Sequence, residues 1–302
     1  MTLSYLAGNS CASMLAARTI RAGDGLYPDR LAQLPDRPQE LRVRGDLAPA
    51  RRRVAIVGSR EADGYGEEMA RDLAAGLARA GVSVVSGGAR GVDAAAHRGA
   101  LEAGGHTMAV LGTGVDVVYP AGHRDLYERI LAAGGALVSE LPDGARARRE
   151  HFPRRNRIVS GLSEAVVVVQ AAERSGALIT AAWARSQGVP VLAVPGDARE
   201  PLSHGPLALL REGAGLAATA ADVLAVLGLD AAPERQPELP ALDAGGAALL
   251  AALSARPRHA DEVARRARLD AGAALAGLLA LELDGLCEQR PGQHFLRRRR
   301  GN

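Results

Sequence analysis

The feature that most constrains this chain is a regular alternation of short apolar runs and helix-like segments from residue 54 onward. The apolar runs lie at residues 54–57, 82–85, 108–111, 136–138, 165–169 and 189–194. Between them, the segments 67–79, 92–101, 124–131, 158–162 and 178–186 have the spacing of amphipathic helices. Continuously apolar strands that alternate with helices predict an α/β fold with an extended, Rossmann-like, doubly wound and mostly parallel sheet. A ligand site is then expected outside the carboxyl ends of the strands, at a topological switch point.

The alternation stops at residues 227–243, where three prolines and mixed charges without periodicity predict a linker. The residues that follow predict three helices, the second at 261–267 and the third running from an Asp270 cap to Leu283. A β-hairpin is predicted around Pro291 and Gly292. Three helices followed by a hairpin are typical of a small C-terminal winged-helix domain, with a generic helical bundle as the alternative.

Composition argues against several classes of function. All 37 basic residues are arginine, so the P-loop lysine of Walker-type nucleotide hydrolysis is missing. The two cysteines, Cys11 and Cys287, are far apart and predict neither a disulfide framework nor a metal site. The N-terminus has no signal pattern, and no apolar run approaches the ~18 residues that span a bilayer. We therefore expect a reduced, cytoplasmic protein without membrane insertion.

Four small, polar turns follow strands of the predicted sheet: Gly58-Ser59-Arg60, Ser86-Gly87-Gly88, Ser175-Gly176 and Pro195-Gly196. Glycine lets backbone amides approach a ligand, serine offers a hydroxyl, and arginine offers a forked cation. Each turn alone is a weak signal, because an ordinary strand-to-helix turn uses the same residues. Since parallel strands end at one edge of a sheet, the four turns together predict a phosphate-bearing ligand.

Asp93 and His97 stand one helical turn apart in the segment that follows Gly91. They are interpreted either as an acid–base pair or as a helix cap and a helix-stabilising pair. The sequence contains no HExxH, no GxSxG and no paired metal carboxylates. We therefore assign no catalytic residue, no metal ligand and no cofactor.

The segment FPRRNRIVSGLSE, which starts at Phe152, places three arginines and an asparagine close behind an aromatic residue. Together with Arg60 and Arg149, these cations surround the aromatic ring in the predicted site. This arrangement suits single-stranded nucleic acid, because guanidinium groups contact phosphates and the ring stacks on a base. Arg154 and Arg155 are interpreted either as part of this wall or as solvated charge.

The chain resembles the DNA-processing protein A family, also called DprA or Smf. The motifs that carry the resemblance occur in family order and include YPDRLAQLPDRPQELRVRGD, VAIVGSR, SGGARGVDAAAH, AVLGTGVDVVYP, LVSELP, FPRRNRIVSGLSEAVVVVQA, SGALITAAWA and VPVLAVPG. The resemblance implies a non-enzymatic homodimer that binds and protects incoming single-stranded DNA during natural transformation. It also implies that the protein loads the RecA recombinase onto that strand.

The resemblance also implies a set of DNA contacts, carried over by position. These are Ser59, Arg60, Ser86, Gly87, Gly88, Arg149, Phe152, Asn156 and Arg157. Gly58, Arg154, Ser175 and Gly176, from the same predicted rim, complete the predicted DNA-binding site. Phe152 is the expected stacking residue and Arg157 the expected phosphate contact. Asn156 is either a contact or a brace for the loop backbone.

The predicted organisation follows from the extent of this resemblance. It comprises a reduced N-terminal extension at 1–26, a Rossmann-like DNA-binding domain at 27–228, a linker at 229–242, a winged-helix domain at 243–297 and a basic tail at 298–302. Family members often carry a helical N-terminal domain that is missing or reduced here. Leu207 stands where the family usually has an asparagine, so a polar contact there is in doubt. SGGARG replaces the more usual Ser-Gly-Leu-Ala.

Two other functions stay open at this point. A phosphoribohydrolase that acts on nucleoside monophosphates uses a similar scaffold, but the glutamate of its PGGxGTxxE segment is absent from RSGALITAAWA. A transcription regulator would read duplex DNA with the third winged-helix helix, yet residues 270–283 contain no arginine to reach base edges. We therefore expect the winged helix to bind protein or to modulate the main domain. The arginines at 297–300 either attract phosphate or form a solvated tail.

Overall fold

A nine-stranded sheet organises the larger part of the molecule. The computed structural model describes residues 16–48, 51–230, 242–254 and 257–297. The chain divides into two units, Met1–Pro233 and Glu234–Asn302. In chain order, the elements of the larger unit are β1 (Arg18–Arg21), α1 (Asp29–Ala32), β2 (Glu40–Gly45), β3 (Arg53–Val57), α2 (Gly64–Arg79), β4 (Ser83–Ser86), α3 (Val92–Glu102), β5 (Thr107–Val110), α4 (Arg124–Ala132), β6 (Ala136–Ser139), α5 (His151–Gly161), β7 (Ala165–Val168), α6 (Gly176–Ser186), β8 (Val191–Ala193), α7 (His204–Arg211), β9 (Gly215–Leu216) and α8 (Ala220–Val226).

The strand order β1-β2-β6-β5-β4-β3-β7-β8-β9 defines a doubly wound sheet. The strands β3 to β9 pair in parallel, whereas β2 pairs antiparallel with both β1 and β6. From β3 the chain builds the sheet outward in one direction to β6, and it then returns to the other side of β3 to form β7. The topological switch point therefore lies between β3 and β7. The predicted Rossmann-like, mostly parallel fold is confirmed.

The six apolar runs correspond to β3 to β8, and every residue of these strands is buried. Helices cover both faces of the sheet, so each face holds its own apolar core. The strands β1, β2 and β9 were not predicted. The strand β2 alternates glutamate or arginine with apolar residues, β1 has the sequence RTIR, and both are only partly buried. The strand β1 also shows that residues ahead of position 27 belong to this sheet.

The prediction of a helix that starts at residue 158 was wrong about its N-terminal end. The helix α5 already begins at His151, so the whole FPRRNR stretch is helical. The sequence obscured this start because Pro153 and a cluster of cations interrupt the apolar spacing. Proline is tolerated in the first turn of a helix, where its missing amide has no intrahelical partner. Because α5 leads into β7, its N-terminal turns lie at the carboxyl edge of the sheet.

The smaller unit has the predicted winged-helix elements. They are α9 (Ala244–Ala252), β10 (Arg258–His259), α10 (Ala260–Ala267), α11 (Ala271–Leu283), β11 (Cys287–Arg290) and β12 (His294–Arg297). Asp270 caps α11 by accepting a hydrogen bond from the Ala273 amide at 2.9 Å, as predicted. The short strand β10, which was not predicted, joins the hairpin in the order β10-β12-β11. Phe295 and Leu278 are completely buried in the centre of this unit.

Several predicted features lie outside the described residues: Cys11, most of the N-terminal extension and of the linker, and the arginines at 298–300. Among the described residues, Cys287 is a buried free thiol. In the part of the chain that the structure describes, no helix is long and apolar enough to cross a membrane.

Candidate nucleic-acid interface

A cleft of about 640 Å³ opens at the carboxyl ends of the central strands. Its floor and walls come from the turns that follow β3, β4 and β7 and from one face of α5. The cleft thus lies at the topological switch point, where open α/β sheets bind their ligands. The predicted site residues that line it are Gly58, Ser59, Arg60, Gly87, Arg149, Phe152, Asn156, Ser175 and Gly176.

The turn after β3, Gly58-Ser59-Arg60, packs against the protein on one side and lines the cleft on the other. A Cβ at Gly58 would lie 2.5 Å from Val92 Cγ2, so glycine allows this turn to contact the start of α3. The Ser59 amide donates to the Gln170 carbonyl at 2.7 Å, and its hydroxyl accepts from the Glu61 amide at 3.1 Å. Arg60 alone projects as an exposed cation, with no ion-pair partner among the described residues. Of these three residues, Arg60 is the one free to contact a ligand.

In the turn after β4, Ser86 and Gly88 do not line the cleft as the sequence predicted. Ser86 is fully buried and its hydroxyl donates to the Ile56 carbonyl at 2.6 Å, so this hydroxyl faces the sheet and not a ligand. The structure therefore places the Ser86 hydroxyl away from the cleft, and its geometry does not support the predicted contact through the side chain. Gly88 does not line the cleft but a small recess of about 70 Å³ beside it. Its carbonyl lies 3.1 Å from the hydroxyl of Tyr127 and 3.1 Å from His123 Nδ1.

Asp93 occupies part of the anion seat expected at the start of α3. Its carboxylate accepts a hydrogen bond from the Ala89 amide at 3.2 Å and is buried at the cleft floor. Burial raises the pKa of Asp93, and the charge of Arg155 opposes that shift. His97 points elsewhere, with Nδ1 2.7 Å from the Thr107 hydroxyl, and it does not line the cleft. The geometry therefore supports a turn-stabilising role for Asp93 rather than an acid–base pair with His97.

The helix α5 divides its polar residues between two faces. Phe152, Arg155 and Asn156, spaced by three or four positions, line the cleft. Arg154 and Arg157 lie on the other side, where both guanidinium groups bind Glu140. The predicted cationic cluster therefore consists of two groups of side chains on opposite faces of α5. One group lines the cleft, and the other pairs with Glu140.

Arg157, the expected phosphate contact, is a buried structural residue. Its side chain is 8% exposed, and it forms ion pairs with Glu140 at 2.6 Å and Asp36 at 3.4 Å. It is absent from the cleft lining. The helical period turns Arg157 away from Phe152, so the structure does not bring the predicted phosphate contact into the cleft. Arg154 remains exposed, but its pairing with Glu140 at 3.2 Å also places it outside the cleft.

Arg155 is the cation at the base of the cleft, and the interpretation of it as solvated charge was wrong. The residue is 7% exposed and donates through Nη1 to the Val110 carbonyl. Its Nε is buried and has no hydrogen-bond partner among the described residues. Burial lowers the pKa of this guanidinium, and the neighbouring Asp93 carboxylate opposes that shift. A guanidinium at the base of a cleft adds positive charge there, which suits an anion that enters it.

An aromatic corner closes one end of the cleft. The rings of Phe152 and Tyr119 lie with centroids 5.4 Å apart and planes tilted by 40°. The guanidinium carbon of Arg60 lies 5.3 Å from the Phe152 ring centroid, within cation–π distance. Sequence reasoning missed Tyr119 as a site residue, although it stands at the end of the AVLGTGVDVVYP motif.

The start of α6 forms the opposite wall. Ser175 caps this helix, because its hydroxyl accepts from the Ala177 amide at 3.3 Å. A Cβ at Gly176 would meet open space, and its carbonyl accepts from Asn156 Nδ2 at 3.2 Å. Asn156 thus braces α5 against α6, which supports the bracing interpretation, although the braced backbone is helical. Arg174, also missed, adds an exposed cation to this wall.

Two further sequence features do not line the cleft. The Pro195 carbonyl accepts from the Tyr65 hydroxyl at 2.6 Å, so the Pro195-Gly196 turn is tied to α2. Leu207 lies on α7 and is absent from the cleft lining.

The charge of the cleft is predominantly positive. Arg60, Arg149, Arg155 and Arg174 line it, against the carboxylates of Glu61 and Asp93. Among the described residues, no group of three or more His, Cys, Asp or Glu side chains could hold a metal ion. Cations around an aromatic corner suit a chain of phosphates with exposed bases.

Comparison with known proteins gives a consistent result. Residues 18–228 match the family model described as DNA recombination-mediator protein A, and residues 232–293 match the DprA winged helix domain. The DNA processing protein DprA of Mycobacterium tuberculosis strain H37Rv is 45% identical over 269 residues. That match covers 82% of this chain and 66% of the mycobacterial protein, slightly under two thirds of its length.

The solved structures that are similar to the chain include two DNA processing proteins. The crystal structure of DNA processing protein A from Streptococcus pneumoniae has a TM-score of 0.66 at 39% identity, covering 69% of this chain and 73% of that one. A Helicobacter pylori structure of the same name, described as giving insights into a single-stranded DNA binding mode, has a TM-score of 0.63 at 29% identity. It covers 70% of this chain and 95% of the other.

Proposed function

Because the chain belongs to the DNA recombination-mediator protein A family, we propose that it binds single-stranded DNA in the cleft between β3 and β7. The single observation that carries the proposal is the aromatic corner of Phe152 and Tyr119 beside four arginines. Guanidinium groups neutralise successive phosphates, and aromatic rings stack on bases of any sequence. The Helicobacter pylori relative, described in terms of its single-stranded DNA binding, supports this assignment.

The side chains divide the work within the cleft. Arg60, Arg149 and Arg174 are exposed and contact the phosphate backbone as it crosses the opening. Arg155 lines the base of the cleft, where its guanidinium charge attracts one phosphate. Asn156 sets the width of the opening by holding α5 to α6. None of these contacts reads a base edge, so binding is expected to depend weakly on sequence.

The biological role proposed for this binding is DNA processing in natural transformation. The protein protects incoming single strands in the cytoplasm and, as a homodimer, loads the RecA recombinase onto them. The names of the relatives, which refer to DNA processing and recombination mediation, support this role. We place no catalytic step in the cleft, and the winged-helix domain serves protein contacts or modulation of the main domain.

A nuclease-protection assay tests the proposal. Labelled single-stranded oligonucleotide is digested by a single-strand nuclease with and without the protein, and RecA filament formation on strands coated with a single-strand-binding protein is followed in parallel. We expect a protected fragment and faster RecA assembly. A strand digested at the same rate with saturating protein would rule out the protective role.

The alternative of a nucleotide-processing enzyme is tested by incubation with nucleoside 5′-monophosphates. The observation that keeps this alternative open is the buried carboxylate of Asp93 at the cleft floor, whose pKa is raised. Chromatography would detect release of a free base. We expect none, because the Asp93 carboxylate is already engaged by the Ala89 amide.

A further inference from the structure

The ring of Tyr119 is the more open member of the aromatic corner. Tyr119 is 44% exposed and lines both the cleft and the adjoining recess. Phe152, which sequence reasoning favoured for base stacking, is only partly exposed. The two rings therefore offer different amounts of free surface to a strand in the cleft.

Much of the Phe152 ring is already in contact with protein. A Cβ at Gly112 would lie 2.8 Å from Phe152 Cδ1 and 2.9 Å from Cε1, so the Gly112 backbone packs directly against the ring. The Arg60 guanidinium and the Tyr119 ring occupy further sides of it. The centroid separation of 5.4 Å is within the roughly 4.5–7 Å of aromatic pairs in contact. A base therefore has no room between the two rings and must stack on an outer face.

The position of Tyr119 is fixed from within the protein. Its carbonyl accepts a hydrogen bond from the Tyr127 hydroxyl at 2.7 Å, and the same hydroxyl lies 3.1 Å from the Gly88 carbonyl. Tyr127 is buried, and burial raises the pKa of its phenol, so the hydroxyl stays protonated and able to donate. A ring whose backbone is anchored in this way presents its free face at little entropic cost.

We propose that Tyr119 is the base-stacking residue of the cleft, with a nucleobase of the bound strand on its exposed face and Phe152 packed beside it as support. The inference rests on the proposed function, because it names the residue that receives a base from single-stranded DNA. Phosphates on either side of that base reach Arg60 and Arg155, which share the recess lining with Tyr119. Phe152 then acts mainly by holding the Tyr119 ring in place.

Equilibrium titrations with two oligonucleotides of equal length test this assignment, one a normal single strand and the other a strand of abasic residues. The variants are Tyr119→Leu, which removes the ring, and Tyr119→Phe, which keeps it. Tyr65→Leu is the matched control, because Tyr65 is also 44% exposed but does not line the cleft. Far-ultraviolet circular dichroism and a thermal melt of each variant verify that it folds.

We expect Tyr119→Leu to weaken binding of the normal strand by about 5- to 150-fold, the range for loss of one stacked base. Binding of the abasic strand should be unchanged, and Tyr119→Phe and Tyr65→Leu should bind both strands like the wild type. Equal affinity of Tyr119→Leu and the wild type for the normal strand would overturn the inference, as would an equal loss for both strands. Wild-type protein that binds neither strand would instead overturn the proposed function itself.

Discussion

At the scale of single residues, identical side chains on one helix do different things. Arg155 and Arg157 are two positions apart, and both are buried. Arg155 lines the cleft, whereas Arg157 is paired with Glu140 and Asp36. The sequence predicted that this stretch carries the site. It could not assign the roles, because these depend on a helix start that Pro153 obscured and on carboxylates distant in sequence.

Replacement of Arg60 by alanine tests the exposed phosphate contacts. We expect weaker binding of single-stranded DNA and a salt dependence whose slope falls in magnitude by about 0.7, the value for one phosphate on a single strand. Fluorescence anisotropy at several salt concentrations measures both quantities. Arg185→Ala is the matched control, since Arg185 is also exposed but pairs with Glu212 and lies outside the cleft. An unchanged slope in Arg60→Ala would contradict a phosphate contact at Arg60.

Replacement of Arg157 by alanine is expected to affect stability and to leave the salt slope unchanged. The substitution removes the buried partner of Glu140, which keeps Arg154, and of the partly exposed Asp36. We expect a loss of about 1.5–3 kcal/mol, the value of a hydrogen bond to a charged group. Urea denaturation followed by circular dichroism measures the free energy of unfolding. A variant as stable as the wild type, but with a reduced salt slope, would show that Arg157 contacts DNA after all.

At the scale of elements, the cleft depends on how closely the turn after β4 approaches α5. A Cβ at Gly87 would overlap Arg155 Nη1 and lie 2.6 Å from Asp93 Oδ2, so this glycine leaves space for both charged groups. Glycine-rich turns at strand ends were predicted from the sequence. Their interpretation as simple amide cradles was incomplete, because the Asp93 carboxylate and the Arg155 guanidinium fill that space.

Two glycine substitutions in the same cleft test this packing. Gly87→Ala should displace Arg155 and weaken single-stranded DNA binding by about tenfold or more, since a charged hydrogen bond is worth about 1.5–3 kcal/mol. Gly176→Ala should change affinity little, because its Cβ would project into open space. Both dissociation constants come from the same anisotropy titration. Equal behaviour of the two variants would contradict the role given to Arg155.

The buried His97 on helix α3 is expected to make the stability of the protein depend on pH. Burial first, and then the charges of His123 and Arg155, lower the pKa of His97 to about 3. The unfolded chain takes up a proton near pH 6.5, whereas the folded protein does so only near pH 3. Above about pH 6.5, His97 is neutral in both states and does not reduce the free energy of unfolding. Below that pH, the free energy of unfolding falls by up to about 1.4 kcal/mol per pH unit, because only the unfolded chain takes up the proton.

The variant His97→Gln isolates this contribution from those of His106 and His123, whose pKa values are also lowered by burial. Glutamine can still donate to Thr107 but does not titrate. Urea denaturation of both proteins between pH 5 and pH 8 should show the wild type losing more stability on acidification. Parallel curves for the two proteins would contradict the assigned pKa shift.

At the scale of the whole molecule, the sequence predicted the parts that depend on local pattern. The buried strands β3 to β8 were recognisable because parallel strands covered on both faces are continuously apolar. The strands β1, β9 and β10 were missed because edge and very short strands depend on pairing partners elsewhere in the chain. The internal strand β2 was missed because it alternates charged and apolar residues and is not continuously apolar. The cleft location followed from topology, whereas Tyr119 and Arg174 could be found only once the fold brought them to the same edge.

The third helix of the winged-helix unit, α11, has an exposed apolar face. The face of α11 that carries Leu279 and Leu283 is exposed and apolar, with Leu283 90% exposed. Such a face has no cations for reading a groove of duplex DNA. We therefore assign the proposed preference for single-stranded DNA to the cleft of the larger unit.

The most direct test of the account is the affinity of the protein for single-stranded and duplex DNA of the same sequence and length. Both are titrated against the wild-type protein at one fixed salt concentration, with a fluorescent label on the same strand. Stacking on the aromatic corner requires unpaired bases, so we predict that the single strand binds at least tenfold more tightly. Equal affinity for the two, or tighter binding of the duplex, would contradict the central claim that this cleft recognises single-stranded DNA.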